Sequence, residues 1–187
     1  MNVSSRNSLT LPNIITIIRI LLTPLFIILL IQGRYGQALL VFLLAGLSDL
    51  VDGLIARTWQ QKTPLGTFLD PLADKLLLSS SFVALSVFRL MPAWLTVVVI
   101  SRDMTLVLGI ILLKLTDMPV IIKPSRAGKW TAALQVMTVL LVLVGTLWPL
   151  NANFLTAWFW LVGGVTALSG IQYVYRELKR VGRTPAD

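Results

Sequence analysis

The sequence contains no cysteine and no histidine. Those two absences exclude disulfides, thiolate zinc sites, cysteine nucleophiles, histidine acid/base chemistry and phosphohistidine intermediates. Whatever chemistry occurs must run on carboxylates, lysines, arginines and hydroxyls. Charge is scarce too: 13% of the 187 residues are charged and 56% are apolar, against about 25% charged in an ordinary soluble domain. A single soluble globular domain does not fit. The apolar residues fall in runs of about 20, the length an α-helix needs to cross a hydrocarbon core of roughly 30 Å, so the bilayer is the natural solvent. Of the few charges, 16 are basic and 8 acidic, a formal net charge of +8. That balance suits anionic head groups or a phosphate-bearing substrate. Nucleic acid is not expected as a partner, because no soluble domain is left to bind it.

Six apolar segments can be drawn, near residues 12–32, 36–57, 65–88, 93–115, 126–148 and 153–175, separated by short connections rich in Gly, Pro, Asn or charge. The first is too long for a signal-peptide core and is interrupted by Arg19 and Pro24, so it reads as the first span. The expectation is an all-α integral membrane protein, a bundle of six transmembrane helices forming one domain over residues 1–187. With the N-terminus inside, Arg6, Arg57, Lys62, Lys114, Lys123, Arg126, Lys129, Arg176, Lys179, Arg180 and Arg183 fall on the cytoplasmic side, and only Arg34 and Arg89 on the other. Both termini are therefore expected in the cytoplasm.

Half of the acidic residues lie in one stretch, SDLVDGLIARTWQQKTPLGTFLDPLADK, as Asp49, Asp52, Asp70 and Asp74. Each would cost about 2.5–3.5 kcal/mol at the centre of a membrane helix, so the group must be compensated. Asp49 and Asp52 are three apart and Asp70 and Asp74 four apart, spacings that put each pair on one face of its helix. Consecutive helices joined by about eight residues, Thr58 to Leu65, should be antiparallel neighbours that present all four carboxylates near the cytoplasmic face. Oxygen ligands without His or Cys favour a hard cation, Mg²⁺ or Mn²⁺. Gly53, Ala56 and Gly66 remove bulk where the helices would meet, and Arg57 with Lys62 supplies fixed positive charge suited to diphosphate oxygens. Two other readings use the same acids: ion pairs with Arg19, Lys75 or Arg102 inside the bundle, or the pathway of a small cation or proton transporter.

The run resembles the signature of the CDP-alcohol phosphatidyltransferase family, D-x-x-D-G-x-x-A-R, eight residues, then G-x-x-x-D-x-x-x-D. Asp49, Asp52, Gly53, Ala56, Arg57, Gly66, Asp70 and Asp74 match it at every fixed position. The resemblance implies an enzyme that moves the phosphatidyl group of CDP-diacylglycerol onto an alcohol and releases CMP in phospholipid synthesis. It also implies a homodimer in a membrane, here a bacterial inner membrane with the active site facing the cytoplasm. By the same resemblance, Asp49, Asp52 and Asp70 would hold divalent metals with Asp74 beside them, Asp74 would be the general base, and Gly53, Ala56, Arg57 and Gly66 would line the cytidine-diphosphate site.

The NIITIIR run, with Asn13, Thr16 and Arg19, resembles the first helix of family members that make phosphatidylglycerol phosphate or cardiolipin. Arg102, Lys123, Arg126 and Lys129 form a basic group that would suit a phosphate on the acceptor, which choline or ethanolamine would not need. The fourth segment reads ISRDMTLVLGIILL and the fifth opens SRAGKWTAALQ. Asp103, Thr131 and the later Gln135 are similar to CMP-forming cardiolipin synthases and depart from phosphatidylglycerol phosphate synthases. The expected acceptor is glycerol-3-phosphate or phosphatidylglycerol.

Overall fold

A computed structural model describes residues 11–58, 64–115 and 126–181. Six helices account for nearly all of them: α1 Leu11–Ile31, α2 Tyr35–Thr58, α3 Pro64–Val87, α4 Ala93–Leu115, α5 Arg126–Leu147 and α6 Ala152–Val181. The helix bounds follow local chemistry. Pro64 opens α3, where its missing N–H has no intrahelical partner to lose. Asn151 caps α6, its Oδ1 accepting from the Asn153 N–H at 2.9 Å. The connection between α2 and α3 is shorter than the expected eight residues, because helix persists through Thr58 and resumes at Pro64. At its far end α6 runs to Val181, beyond the apolar segment. Arg176, Glu177, Lys179 and Arg180 end the apolarity, but they are good helix formers, so the backbone continues.

Two helical stretches among the described residues are long and apolar enough to cross a bilayer, Gly128–Leu147 and Ala152–Arg176. The first three helices carry shorter apolar stretches, Thr16–Ile31, Tyr35–Ser48 and Lys75–Val87.

The helices fall into two compact units. In the first, α1 and α2 form an antiparallel hairpin. Its turn is a Schellman motif: Gly33 takes φ +69°, its N–H bonds to the Leu30 carbonyl at 3.0 Å, and the Arg34 N–H bonds to Leu29 at 2.9 Å. Glycine suits this position because a Cβ makes the left-handed conformation costly. Below the turn, Phe26 packs on Phe42 with ring centroids 5.7 Å apart, and Ala38 and Ala45, both fully buried, let the backbones approach. The buried positions Ala73, Leu77, Leu78, Ser81, Phe82 and Leu85 give α3 one inward face.

In the second unit, α4 and α6 pack side by side and run parallel, because contacts advance together along both. Trp94 lies over Gly163, Arg102 over Gly170, and Gly109 under Tyr173. Trp94 also stacks on Trp160 at 4.6 Å. From α6, Trp158 donates its Nε1–H to Thr138 Oγ1 of α5 at 3.0 Å. A Cβ on Gly163 would fall 2.5 Å from the Trp94 ring, with Leu95 behind it. Gly163→Ala should therefore lose about 1–3 kcal/mol through overpacking. Helix propensity alone would favour alanine by up to about 1 kcal/mol, so a lowered melting temperature in detergent isolates the clash. An unchanged or raised value would show that Trp94 has room to move.

Candidate active site

The motif lies on two helices of the first unit, Asp49, Asp52, Gly53, Ala56 and Arg57 on the last turns of α2, and Gly66, Asp70 and Asp74 on the first turns of α3. The backbone is helical at all eight positions, and their side-chain placement lies outside the described residues. Heights along the helices are nevertheless fixed. At 1.5 Å per residue, Asp52 stands about 9 Å before the end of α2 and Asp70 about 9 Å after the start of α3. Asp49 and Asp74 stand about 14 Å and 15 Å from those same ends. Asp52 and Asp70 thus lie at like distances from the facing chain ends of their helices, as do Asp49 and Asp74. Four hard oxygen donors fit a site for Mg²⁺ or Mn²⁺.

Sequence reasoning undervalued Arg19. It is only 1% exposed, on an inward face of α1 that also buries Thr16 and Thr23, with the Thr23 hydroxyl bonding to the Arg19 carbonyl at 3.1 Å. The Phe26–Phe42 contact fixes the α1–α2 register. Arg19 is seven residues before Phe26 and Asp49 seven after Phe42, so in an antiparallel hairpin they stand level, as Thr16 does with Asp52. A guanidinium buried on α1 thus stands at the backbone height of Asp49. The signal in the sequence was one arginine inside an apolar run, which pattern reading alone cannot assign to the inner or the outer face.

Arg102 is placed among partners on α4 and α6. Its side chain is 9% exposed, Nη1 donates to Asp103 Oδ1 at 2.8 Å, and Nη2 lies 3.5 Å from Ser169 Oγ on α6. The adjacent acid thus takes one edge of the guanidinium, while Nε is buried with no partner among the described residues. Lys129 is exposed near the start of α5, Arg126 begins that helix with its side chain outside the description, and Lys123 lies outside the described residues altogether. The four basic residues are therefore not brought together by any contact among the described residues. Gln135, by contrast, is fully buried on α5 between Thr131 and Thr138, and neither its Oε1 nor its Nε2 has a hydrogen-bond partner among the described residues. A buried carboxamide left unsatisfied costs about 1–3 kcal/mol.

These features belong to a known class of membrane protein. The chain belongs to the CDP-alcohol phosphatidyltransferase family, which matches it over residues 9–168. It is similar to the human cardiolipin synthase (CMP-forming), 44% identical over 114 residues that cover 60% of this chain and 38% of the human protein. It is also similar to a Schizosaccharomyces pombe cardiolipin synthase (CMP-forming)/mitochondrial hydrolase fusion protein, 36% identical over 183 residues, 89% of this chain and 31% of that protein. The CDP-diacylglycerol–glycerol-3-phosphate 3-phosphatidyltransferase of Bacillus subtilis is 34% identical over 181 residues, covering 87% of this chain and 92% of its own length. The chain thus spans less than two fifths of the two cardiolipin synthases and nearly all of the Bacillus enzyme.

Proposed function

We propose that this chain is a six-span membrane enzyme that transfers the phosphatidyl group of CDP-diacylglycerol to a hydroxyl of phosphatidylglycerol or glycerol-3-phosphate and releases CMP. The observation that supports this reading is the complete eight-position motif on the last turns of α2 and the first turns of α3, in a chain that the family matches over residues 9–168. Asp49, Asp52 and Asp70, with Asp74 beside them, would hold Mg²⁺ or Mn²⁺. When bound, the metal supplies neutralisation of the diphosphate and of charge developing on the leaving CMP. Gly53, Ala56 and Gly66 leave room for the cytidine diphosphate, and Arg57 offers a two-pronged donor to its phosphate oxygens. Asp74 takes the proton from the acceptor hydroxyl as that oxygen bonds to the phosphorus next to diacylglycerol, and the bond from that phosphorus to CMP breaks in line. Arg19 keeps the acids' combined charge tolerable in the membrane. Arg102, with Lys123, Arg126 and Lys129, would attract the acceptor's phosphate. The site faces the cytoplasm by the distribution of basic residues. The same motif and family match leave the cation-transporter reading without an observation in its favour.

The test is CMP release by the purified protein given CDP-diacylglycerol and Mg²⁺ with, separately, glycerol-3-phosphate, phosphatidylglycerol, inositol phosphate or serine. CMP formation with one of the first two is the expected result, and CMP with none of the four overturns the reading. Arg102→Ala should lower acceptor kcat/KM by a factor corresponding to roughly 1.5–3 kcal/mol, the range of a charged hydrogen bond. Donor KM should stay as in the wild type. Because the change also takes a partner from Asp103, melting temperature is recorded alongside, and unchanged acceptor kinetics would remove the phosphate role.

A further inference from the structure

An open groove of about 540 Å³ runs between α4 and α6, wholly within the second unit. Its walls are Val97, Val98, Ala167, Ile171 and Val174, and the side chains of Val97 and Ile171 are exposed along it. From position 167 to position 175 of α6 it extends about 12 Å at 1.5 Å per residue, close to the roughly 15 Å that one leaflet's chains fill in a 30 Å hydrocarbon core. The Arg102 stem lies against α6 at Gly170.

Two features make it more than an apolar dent. Arg102 forms part of the lining, beside Gly170 of α6. At the end nearest the membrane surface, Tyr175 closes the lining, and Lys179, one turn further on, places Nζ 6.0 Å from the Tyr175 ring centroid. Charged residues begin at Arg176 in the sequence, which puts Tyr175 and Lys179 at the head-group end of α6, with Gly170 and the Arg102 stem about 7.5 Å deeper than Tyr175. An apolar trough with cationic charge at its mouth is complementary to an anionic phospholipid, chain first and phosphate at the surface end.

We propose that the α4–α6 groove is a binding site for an anionic diacylphospholipid drawn from the bilayer. One acyl chain lies along Val97, Ala167 and Ile171, and the phosphate lies beside Tyr175 and Lys179. The proposal concerns this groove alone: phosphatidylglycerol held as acceptor at the aspartate motif would be insensitive to substitutions at Ala167 and Val97.

The experiment is native mass spectrometry of the delipidated full-length protein, titrated with dioleoylphosphatidylglycerol or dioleoylphosphatidylcholine. The first phosphatidylglycerol should bind about tenfold more tightly than the first phosphatidylcholine, because one or two nearby cations act on its net charge. Ala167→Phe, at an exposed position where the ring has space, should weaken that first binding by about tenfold by filling the trough. Val97→Phe repeats the test from the opposite wall if the first variant does not fold. Lys179→Gln should narrow the preference between the two lipids without abolishing binding. Equal affinity for both lipids overturns the proposal, as does undiminished binding in folded Ala167→Phe or Val97→Phe. The cysteine-free chain permits a last check: Ile171→Cys should stay monomeric under mild oxidation, and a disulfide between two copies would put a second chain in the groove instead of a lipid.

Discussion

Asp49→Asn, Asp52→Asn and Asp70→Asn are each expected to cut CMP release by at least about 10²-fold, since even the outer partners of metal ligands cost 10–100-fold when lost. An amide keeps the shape of the side chain but removes its charge, so the hard cation loses both attraction and a strong oxygen donor. The loss should come with a raised Mg²⁺ requirement, measured as the metal concentration for half-maximal rate. It should not come with unfolding. Each aspartate costs about 2.5–3.5 kcal/mol to hold in a membrane helix, and replacing it relieves part of that, so melting temperatures in metal-free detergent should stay level or rise. Loss of activity together with a retained or raised melting temperature is a pattern that simple structural damage does not give. Full activity in excess chelator, or normal turnover in any of the three variants, would sink the metal site.

Asp74→Asn should separate chemistry from donor binding. A base within reach of the acceptor hydroxyl contributes about 10²–10⁴ in rate, so kcat should fall by that factor while CDP-diacylglycerol affinity, measured by calorimetry on the purified variant, stays within a few-fold of wild type. The height of Asp74 gives the reason for expecting a division of labour: it is the most deeply placed of the two α3 acids, about 15 Å along the helix. An acid required mainly as a metal ligand would instead lose donor affinity in step with rate. That outcome would move Asp74 into the ligand set, and normal turnover would remove it from the mechanism.

Much of the fold was legible before any coordinates. A six-helix layout follows from apolar run lengths, and observed helix bounds fall within a few residues of the expected ones except at the end of α6. The exception has a plain cause, because hydropathy marks where lipid ends while helix continues wherever backbone propensity allows. The motif was equally legible, since a fixed spacing on a helix is a fixed geometry on one face. What spacing could not give was Arg19. An arginine within an apolar run can snorkel outward or turn inward, and the two cases read alike in sequence.

The amino-acid sequence by itself determined the solvent, the helix count, the carboxylate motif and the excluded chemistries, because each depends on composition or on spacing along one helix. Only the tertiary structure decided which sides of those helices became interior. The Phe26–Phe42 contact set Arg19 level with Asp49, the parallel packing of α4 on α6 aligned Arg102 with Gly170, and the burial of Gln135 left its carboxamide facing no described partner. Those outcomes depend on register and contact between segments far apart in the chain. Van der Waals fit at small residues selects them, and no local pattern records it.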